Sequence, residues 1–507
     1  MATEVELKLA AAPGNLPALR RALENMAKGS AGRRLQLVST YYDTVDRALR
    51  RRGLVLRVRE RDGRFVQTVK SDNAEASGPL ARGEWEDAIP GPQPTRQAPE
   101  SGQFLPLELA ERLVPLFQTE VKRQAIDLSP HPDTRIEAAI DRGQIRAPGR
   151  QGRERISEVE LELKSGVASA LYDVALDLLA VAPVRLELRS KAERGYRLAT
   201  ARSRRRTTTH FEPPELDPGV SGDAALQRIG IACLERLLRN DAAVRRRSSE
   251  GIHQMRVAVR RLRAVLSAFS RMLPPEQRRL ASHELRWLAN ALGPARNLHV
   301  FASGLMGRVP ARLVEPAGLK ALAAAVERRR KTSYTAAVEA VRSPRYTGMI
   351  LRLLRWFDAC GWREDAASEA LRQPIGSLAA GILDRRLHVV KQRGEDFDNQ
   401  YPEQRHRLRI ALKKLRYASE ALTSLYDADA VRPFVRQLKL LQDDLGEISD
   451  VRVAHQIVTE LSRYGSGTIA EAGNRVVEWH EEGLADREPS LRRHLDGLLE
   501  IKPFWTD

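Results

Sequence analysis

Charged and apolar residues alternate along the first two hundred residues of the chain. The opening "ATEVELK" places Glu4, Glu6 and Lys8 on one face of a strand, because successive side chains of a strand point to opposite faces. The segments "GLVLRVRE", "RFVQTVK", "SEVELELK" and "PVRLELRSK" have the same period of two. This period predicts a series of half-apolar β-strands, with helices near residues 15–26 and 167–182.

Pro, Gly, Ser and Thr interrupt this rhythm after an Arg cluster near residue 205. We expect a linker at residues 203–221, between a first domain of residues 1–202 and a second of residues 222–507. Beyond the linker the apolar positions recur with helical spacing. The second half is therefore predicted to be all α-helical, with helices near residues 224–244, 251–272, 275–292 and 311–341.

The helical half contains an internal repeat. "HQMRVAVRRLR" starts at His253, and the similar "HRLRIALKKLR" starts 153 residues later at His406. "LGPARNLHV" at Leu292 and "LGEISDVRV" at Leu445 are separated by the same interval. Two matches at one offset predict a duplicated helical unit, spanning about residues 224–342 and 375–500.

Each copy of the repeat has one basic helix face. For either helix alone, a solvated face is the simpler interpretation. The recurrence of one histidine and three cations at equivalent positions favours a concave basic surface that binds a polyanion. These positions are His253, Arg256, Arg260 and Arg263 in the first copy and His406, Arg409, Lys413 and Arg416 in the second.

The overall charge also indicates an anionic partner. The 507 residues carry a formal net charge of +18, which suits nucleic acid, a phosphate-rich metabolite or an acidic membrane face. An aromatic share of 5% argues against single-stranded nucleic acid, which needs stacking platforms. Cys233 and Cys360 are too few for a disulfide framework, the charged start lacks a signal-peptide core, and no apolar run reaches membrane-spanning length. We therefore expect a cytoplasmic protein that is not embedded in a membrane.

The charged strand faces have two possible roles. They form the wet face of an antiparallel sheet, or they line a barrel of about eight strands, which can hold one small ligand. A lumen with both carboxylates and basic groups suits a metal–phosphate complex, because carboxylates hold a hard cation while Lys and Arg bind phosphate oxygens. The phosphate loop G-x-x-x-x-G-K-[ST] does not occur in the sequence.

Several motifs carry a family resemblance. The opening Glu-x-Glu-x-Lys, then "YYDT", "LRVRE", "EVELELKSG" and "SKAERGY", in this order, resemble the CYTH family of triphosphate tunnel metalloenzymes over about residues 1–200. Residues 222–500 resemble a CHAD domain, a duplicated helical domain with histidines and basic faces that binds inorganic polyphosphate. The combination resembles bacterial CYTH–CHAD inorganic triphosphatases.

The resemblance implies an α+β multidomain protein. Its first domain would be an eight-stranded antiparallel tunnel, and its second would be two four-helix bundles around a basic cleft. The implied activity is hydrolysis of inorganic triphosphate with Mg²⁺ or Mn²⁺, and the implied second ligand is inorganic polyphosphate rather than a specific nucleic acid. The alternatives are a thiamine triphosphatase, an adenylate cyclase-type tunnel enzyme, or a scaffold that binds polyphosphate without catalysis.

The resemblance also implies site residues. The implied metal ligands are Glu4, Glu6 and two of Glu158, Glu160 and Glu162, with Asp141 as a further acid near the metal. The residues implied to hold triphosphate are Lys8, Arg57, Arg59, Lys70, Arg123 and Lys191, with Arg82 and Glu86 as additional candidates. Lys8, together with Glu4 and Glu6, is expected to take part in catalysis by orienting the attacking water or stabilising the transition state. In the helical half, Asn297 and His299 stand where the family often has acids, whereas the second copy has Asp450 and Arg452.

Overall fold

The structure, a computed structural model, forms two compact units. It describes residues 2–27, 32–71, 81–149, 152–200, 211–463, 467–485 and 487–506. Unit 1 comprises Met1–Thr207 together with Ser343–Ala359, and unit 2 comprises Thr208–Arg342 together with Cys360–Asp507. Unit 1 therefore includes a segment from the middle of the helical half. Residues 203–210 of the expected linker lie outside the described residues.

Antiparallel strands form the core of unit 1. They are β1 Ala2–Ala11, β2 Arg33–Asp43, β3 Leu54–Arg61, β4 Arg64–Ser71, β5 Ala81–Ile89, β6 Val114–His131, β7 Thr134–Arg146, β8 Arg153–Ser165 and β9 Val184–Leu186. Their order is β5-β4-β3-β2-β6-β7-β8-β1-β9, and β1 also pairs with β5. The second pairing closes eight strands into a barrel, as predicted. The described sheet has nine strands rather than eight, because β9 pairs with Leu9–Ala11 at the end of β1.

Helices surround the barrel and make up unit 2. They are α1 Leu16–Met26, α2 Ala48–Arg51, α3 Leu107–Ala110, α4 Ser169–Val181, α5 Lys191–Ala199, α6 Gly222–Arg245, α7 Ser249–Ala268, α8 Pro275–Val300, α9 Pro316–Arg342, α10 Pro344–Asp358, α11 Ile375–Gly394, α12 Pro402–Leu422, α13 Ala428–Ser462, α14 Gly467–Ala485 and α15 Glu488–Glu500. Among the described helices, none combines the length and the hydropathy needed to cross a bilayer.

The segment "PVRLELRSK" is only partly a strand. The prediction placed Lys191 on a strand face, but β9 ends at Leu186 and Lys191 begins α5. Ser190 and Glu193 form a capping box in which each side chain bonds the other residue's backbone N–H. This local N-terminal signal starts a helix where the alternation indicated a strand.

Helix α10 packs within unit 1 although it lies between the two helical repeats in sequence. The Thr347 hydroxyl donates to the Val184 carbonyl at 3.1 Å, and the Arg355 guanidinium lies 2.8 Å from Asp173 of α4. One face of α10 is buried, including Ile350, Leu354 and others. The apolar face of α10 therefore completes the helical layer of the barrel unit.

Three helices of unit 2 recur as a second set of three. Helices α6, α7 and α8 begin 153 residues before α11, α12 and α13, which is the interval found in the sequence. In α7 the apolar arc of Met255, Val259, Leu262 and Leu266 is buried. The opposite arc carries the basic residues, so the amphipathic pattern decides which face of α7 is available for a ligand.

Candidate active site in the barrel lumen

The barrel encloses a charged tunnel, with a cavity of about 350 Å³. Its lining in the described residues contains nine acidic and nine basic side chains. The acids are Glu4, Glu6, Glu84, Glu86, Glu137, Asp141, Glu160, Glu162 and Glu193, and the bases are Lys8, Arg50, Arg57, Arg59, Arg61, Lys70, Arg123, Lys164 and Lys191. The strand period explains this placement, because the apolar residues between them face outward under the helices.

A cluster of three carboxylates surrounds one ammonium group. Oxygens of Asp141, Glu158 and Glu160 all lie within 4.8 Å of one another. The Lys191 Nζ lies 2.7 Å from Asp141, 2.8 Å from Glu158 and 2.7 Å from Glu160. Burial alone would lower the pKa of Lys191, but these carboxylates raise it well above its usual value. The capping box of α5 is what brings this lysine to the cluster.

The same cluster fits a divalent cation. Arg123 donates to both oxygens of Asp141 at 2.8 and 2.7 Å and also contacts Glu160. The pKa of Glu160 is held well below its usual value, because Lys191 and Arg123 outweigh the effect of burial. Ionised carboxylate oxygens that already converge on a positive charge are the donors that Mg²⁺ and Mn²⁺ take. Asp141, Glu158 and Glu160 could therefore hold such an ion.

The charged face of β1 also points into the lumen. Lys70 Nζ lies 2.5 Å from Glu4 and 3.1 Å from Glu84, while Lys8 pairs with Glu6 and lies 3.9 Å from Glu160. Burial alone would raise the pKa of Glu4, but Lys70 lowers it to about 2. Burial and the charge of Glu160 raise the pKa of Glu6 to about 7. Neighbouring carboxylates on one strand thus differ in how readily they ionise.

Two arginines of β3 extend from the opposite side of the lumen. Arg57 lies 3.2 Å from both Glu84 and Glu86, and Arg59 donates to the Ser39 hydroxyl at 3.2 Å. Burial, with the charges of Arg57 and Arg123, lowers the pKa of Arg59 to about 10. An arginine held among like charges, with a neutral serine as its hydrogen-bond partner, is well suited to bind an anion.

A buried aspartate supports the tunnel mouth. Asp43, from the "YYDT" motif, accepts from the backbone N–H groups of Leu49 at 2.9 Å and Arg50 at 3.1 Å, and from the Tyr196 hydroxyl at 2.9 Å. The Arg50 guanidinium lies 4.7 Å from the centre of the Tyr196 ring. Asp43 therefore fixes α2 and α5 and orients Arg50, which lines the lumen.

Most of the predicted tunnel residues lie together. Glu4, Glu6, Lys8, Arg57, Arg59, Lys70, Glu86, Arg123, Asp141, Glu160, Glu162 and Lys191 line the lumen. Glu158 lies behind them in the carboxylate cluster, and Glu162 pairs with Lys164 instead of joining that cluster. The side chain of Arg82 lies outside the described residues.

Six charged lumen residues were not singled out from the sequence, namely Arg50, Arg61, Glu84, Glu137, Lys164 and Glu193. Glu84 precedes Glu86 by two positions, so the strand period could have identified it. Glu137 pairs in register with Glu162, and Lys164 continues the charged face of β8. Arg50 carries no such signal, because it follows a turn at Arg47 with a positive φ of 62°.

The basic helix faces of unit 2 are only partly one surface. Arg260 and Arg263 of α7 share a groove of about 340 Å³ with Lys413 and Lys414 of α12. Two further arginines of α8, Arg278 and Arg286, line the same groove and were not predicted from the sequence. Among the described side chains, these six cations have no ion-pair partner.

The other predicted basic residues do not line this groove. Arg256 donates to the Ala289 carbonyl at 2.9 Å, Arg409 donates to the Ser449 hydroxyl at 2.9 Å, and Arg416 lies 3.2 Å from Glu420. His406 lies 3.1 Å from Arg452. His253 has its pKa lowered to about 4 by burial and the charge of Arg296, so this imidazole is neutral at pH 7.

Comparison with known families matches both units. The CYTH domain family matches residues 2–196, and the CHAD domain family matches residues 228–459. A solved CHAD domain from the plant Ricinus communis is 28% identical, with a TM-score of 0.52, and the match covers 58% of this chain and 97% of that one.

Two curated relatives match part of the chain. An inorganic triphosphatase of Haemophilus influenzae is 32% identical over 210 residues, which is 39% of this chain and 56% of the relative. An uncharacterised protein of Mycobacterium tuberculosis is 30% identical over 260 residues, or 48% of this chain and 47% of the relative. The chain thus spans about half the length of the curated relatives it matches.

Proposed function

Because the chain combines a CYTH domain with a CHAD domain, we propose that its tunnel hydrolyses inorganic triphosphate with a divalent metal ion and that its helical domain binds polyphosphate. The proposal of triphosphate hydrolysis rests on one observation, which is that both acidic and basic side chains line the lumen. The Haemophilus influenzae relative is named an inorganic triphosphatase, which agrees with it.

The basic side chains would hold the substrate. Arg57, Arg59 and Lys70 face the lumen from one side and Arg123 faces it from the other, so a phosphate chain between them exchanges their carboxylate partners for phosphate oxygens. Bound at the carboxylates, Mg²⁺ or Mn²⁺ would neutralise negative charge on the phosphate oxygens. Lys8, which pairs with Glu6, would orient the water that attacks the terminal phosphorus, or stabilise the transition state, as the anhydride bond breaks and pyrophosphate leaves.

An inorganic substrate fits the lining better than a nucleotide. The aromatic rings among the described lining residues belong to Tyr41 and Tyr196. Tyr41 stacks on Phe117 with ring centres 4.5 Å apart, and Tyr196 bonds Asp43. Both rings are thus engaged in the wall, so the described lining offers no free ring to stack on a purine, as an adenylate cyclase would need, or on thiamine.

The experiment is a phosphate-release assay on tripolyphosphate, pyrophosphate, long polyphosphate, ATP and thiamine triphosphate with Mg²⁺ or Mn²⁺. We expect tripolyphosphate to be preferred and Glu4→Gln or Glu6→Gln to lower turnover by about 100-fold or more, because metal and lysine pairing need the carboxylate charge. Glu120→Gln is the matched control, since Glu120 pairs with Arg146 away from the lumen lining. Full activity in EDTA would exclude the metal-dependent mechanism, and a folded protein without activity would favour the scaffold.

Polyphosphate binding by unit 2 rests on the six unpaired cations of the α7–α8–α12 groove, defined by Arg260, Arg263, Arg278, Arg286, Lys413 and Lys414. Neutralising a linear polyanion releases its counterions, so affinity should fall steeply as salt rises. A flexible phosphate chain can bend to follow a groove, whereas duplex DNA is stiff. Polyphosphate should therefore outcompete duplex DNA at equal charge concentration.

The test for this surface is charge reversal in the full chain. Arg260→Glu with Lys413→Glu should weaken polyphosphate binding by about 100-fold at low salt, because two of the six clustered basic side chains are replaced by groups that repel the polyanion. Arg328→Glu with Arg436→Glu is the control, since both arginines are exposed on other helix faces and pair with no described side chain. Equal losses from the two double variants, or a preference for DNA, would leave only general basicity as the cause of binding.

A further inference from the structure

A second cationic groove lies outside the tunnel, on the flank of unit 1. Its cavity of about 540 Å³ is formed by α1 and the neighbouring strands β2, β6 and β7. Arg123 and Asp141 bond each other across the lumen wall, so the alternation of strand side chains turns Lys122 and Arg142 outward. Arg123 borders both the groove and the lumen, whereas Lys122 and Arg142 line the groove alone.

Five basic residues line this groove, and among the described residues no acidic one does. One of the five, Arg123, is bonded to Asp141 and Glu160, which leaves four other cations. They are Arg20, Arg34, Lys122 and Arg142, and none of them has an ion pair or side-chain hydrogen bond within the part of the chain that the structure describes. The carboxylate of Glu24, on the same helix as Arg20, is bonded by Gln124 at 3.1 Å. These side chains leave a local excess of positive charge.

The position of two of these cations strengthens the argument. Lys122 and Arg142 are direct partners in the β6–β7 pairing, and Gln36 is the partner of Lys122 on β2. Like charges directly opposite each other destabilise an antiparallel pair. An anion bound between the two side chains would remove that cost.

The floor of the groove is apolar. It is formed by Pro13, Leu16, Pro17, Leu35 and Ile140. A ligand that contacted both the four cations and the apolar floor would need at least two negative charges and an apolar portion. The size of the cavity is in the range of sites for small organic molecules.

We propose that this groove binds a small organic di- or triphosphate, with the phosphates between the four cations and the apolar portion on the floor. An inorganic phosphate chain would meet the cations but leave the floor uncovered. The groove is a second site, distinct from the tunnel, because its four unpaired cations do not line the lumen.

The probe is 8-azido-ADP, photo-crosslinked to the full-length protein, with the labelled peptides identified by mass spectrometry. Residues 13–20 do not line the lumen, so labelling there distinguishes this groove from the tunnel. We expect saturable labelling of that segment, prevented by ADP at concentrations about fivefold or more below those needed for pyrophosphate, because only ADP can cover the apolar floor.

The variant Arg34→Ala with Arg142→Ala should weaken labelling by about tenfold and leave tripolyphosphate hydrolysis unchanged. Arg21→Ala with Arg64→Ala is the control, since both arginines are exposed in unit 1 away from this groove and should label as the wild type does. Labelling confined to lumen peptides, equal labelling of the two double variants, or equal competition by pyrophosphate would overturn the proposal. Binding to phosphatidylserine vesicles that needs the four cations, without labelling by the nucleotide, would also overturn it and identify a lipid surface instead.

Discussion

At the scale of single residues, Lys413 would link the proposed polyphosphate binding to pH. Burial and the charges of Arg409 and Arg260 lower the pKa of Lys413 from 10.5 to about 6, and Asp450 offsets only part of this. Without a ligand, the amine of Lys413 is neutral above that pH. A bound polyanion would favour the protonated amine, so binding would be coupled to the uptake of one proton by Lys413. Affinity for polyphosphate should therefore rise by up to about tenfold per unit as the pH falls from about 8.5 towards 6.

Lys413→Arg provides the control, because a guanidinium stays charged throughout this range. Titrations of wild type and variant at constant ionic strength should give a weaker pH dependence for the variant. Identical slopes would mean that the amine of Lys413 does not face the ligand.

The hydroxyl of Tyr196 makes a separate contribution to stability. Tyr196→Phe removes one of the hydrogen bonds to buried Asp43. A buried carboxylate oxygen that loses a hydrogen-bond donor destabilises the folded state. We expect a loss of about 1–2 kcal/mol in the free energy of unfolding, measured with urea. Tyr401→Phe changes an exposed tyrosine and should have little effect; equal stability of both variants would contradict the role given to Asp43.

At the scale of elements, α5 carries a lumen lysine and must lie close to β6. A Cβ on Gly195 would come within 2.0 Å of the Phe117 ring, whereas one on Gly152 would be 3.6 Å from Leu198. Gly195→Ala should therefore displace α5 and Lys191 and lower both stability and triphosphatase turnover, the latter by about tenfold or more. Gly152→Ala should preserve both, and a fully active Gly195→Ala variant would show that Lys191 can reach the cluster from a shifted helix.

The strands and the charged lumen could be predicted because one physical rule, the period of two, determines both. Glu4, Glu6 and Lys8 share a face by this rule, and the same is true of Glu160 and Glu162. The rule failed at Lys191, because the capping box at Ser190 starts a helix there. Helix α5 is too short for a helical period to be evident in the sequence. Arg278 and Arg286 could not be foreseen as part of the basic groove, because their position depends on how α8 packs beside α7.

At the scale of the whole molecule, the boundary between the units is not a single point in the sequence. Helix α10 belongs to unit 1, so a fragment of residues 1–205 lacks part of the layer that covers α4. Exposing this apolar surface should lower the melting temperature of the fragment by about 5 °C or more relative to the fragment with a peptide of residues 343–359 added. A scrambled peptide is the control, and no stabilisation by the native peptide would show that the fragment is complete without α10.

The fragment also tests whether unit 1 alone is sufficient for hydrolysis of tripolyphosphate. With the α10 peptide present, residues 1–205 should hydrolyse tripolyphosphate, because every described residue that lines the lumen belongs to unit 1. A folded fragment that stays inactive with the peptide would mean that the helical unit contributes to the reaction.

Among the described residues, nine acidic and nine basic side chains line the lumen, so their charges nearly balance. Triphosphate entering together with an equivalent positive charge preserves that balance, so few counterions are exchanged with the solvent. The charged side chains described in the α7–α8–α12 groove are all basic, so binding of a polyanion there would release many counterions. High ionic strength would therefore affect the two proposed activities differently. Polyphosphate would dissociate from the groove, while hydrolysis of triphosphate in the tunnel would continue.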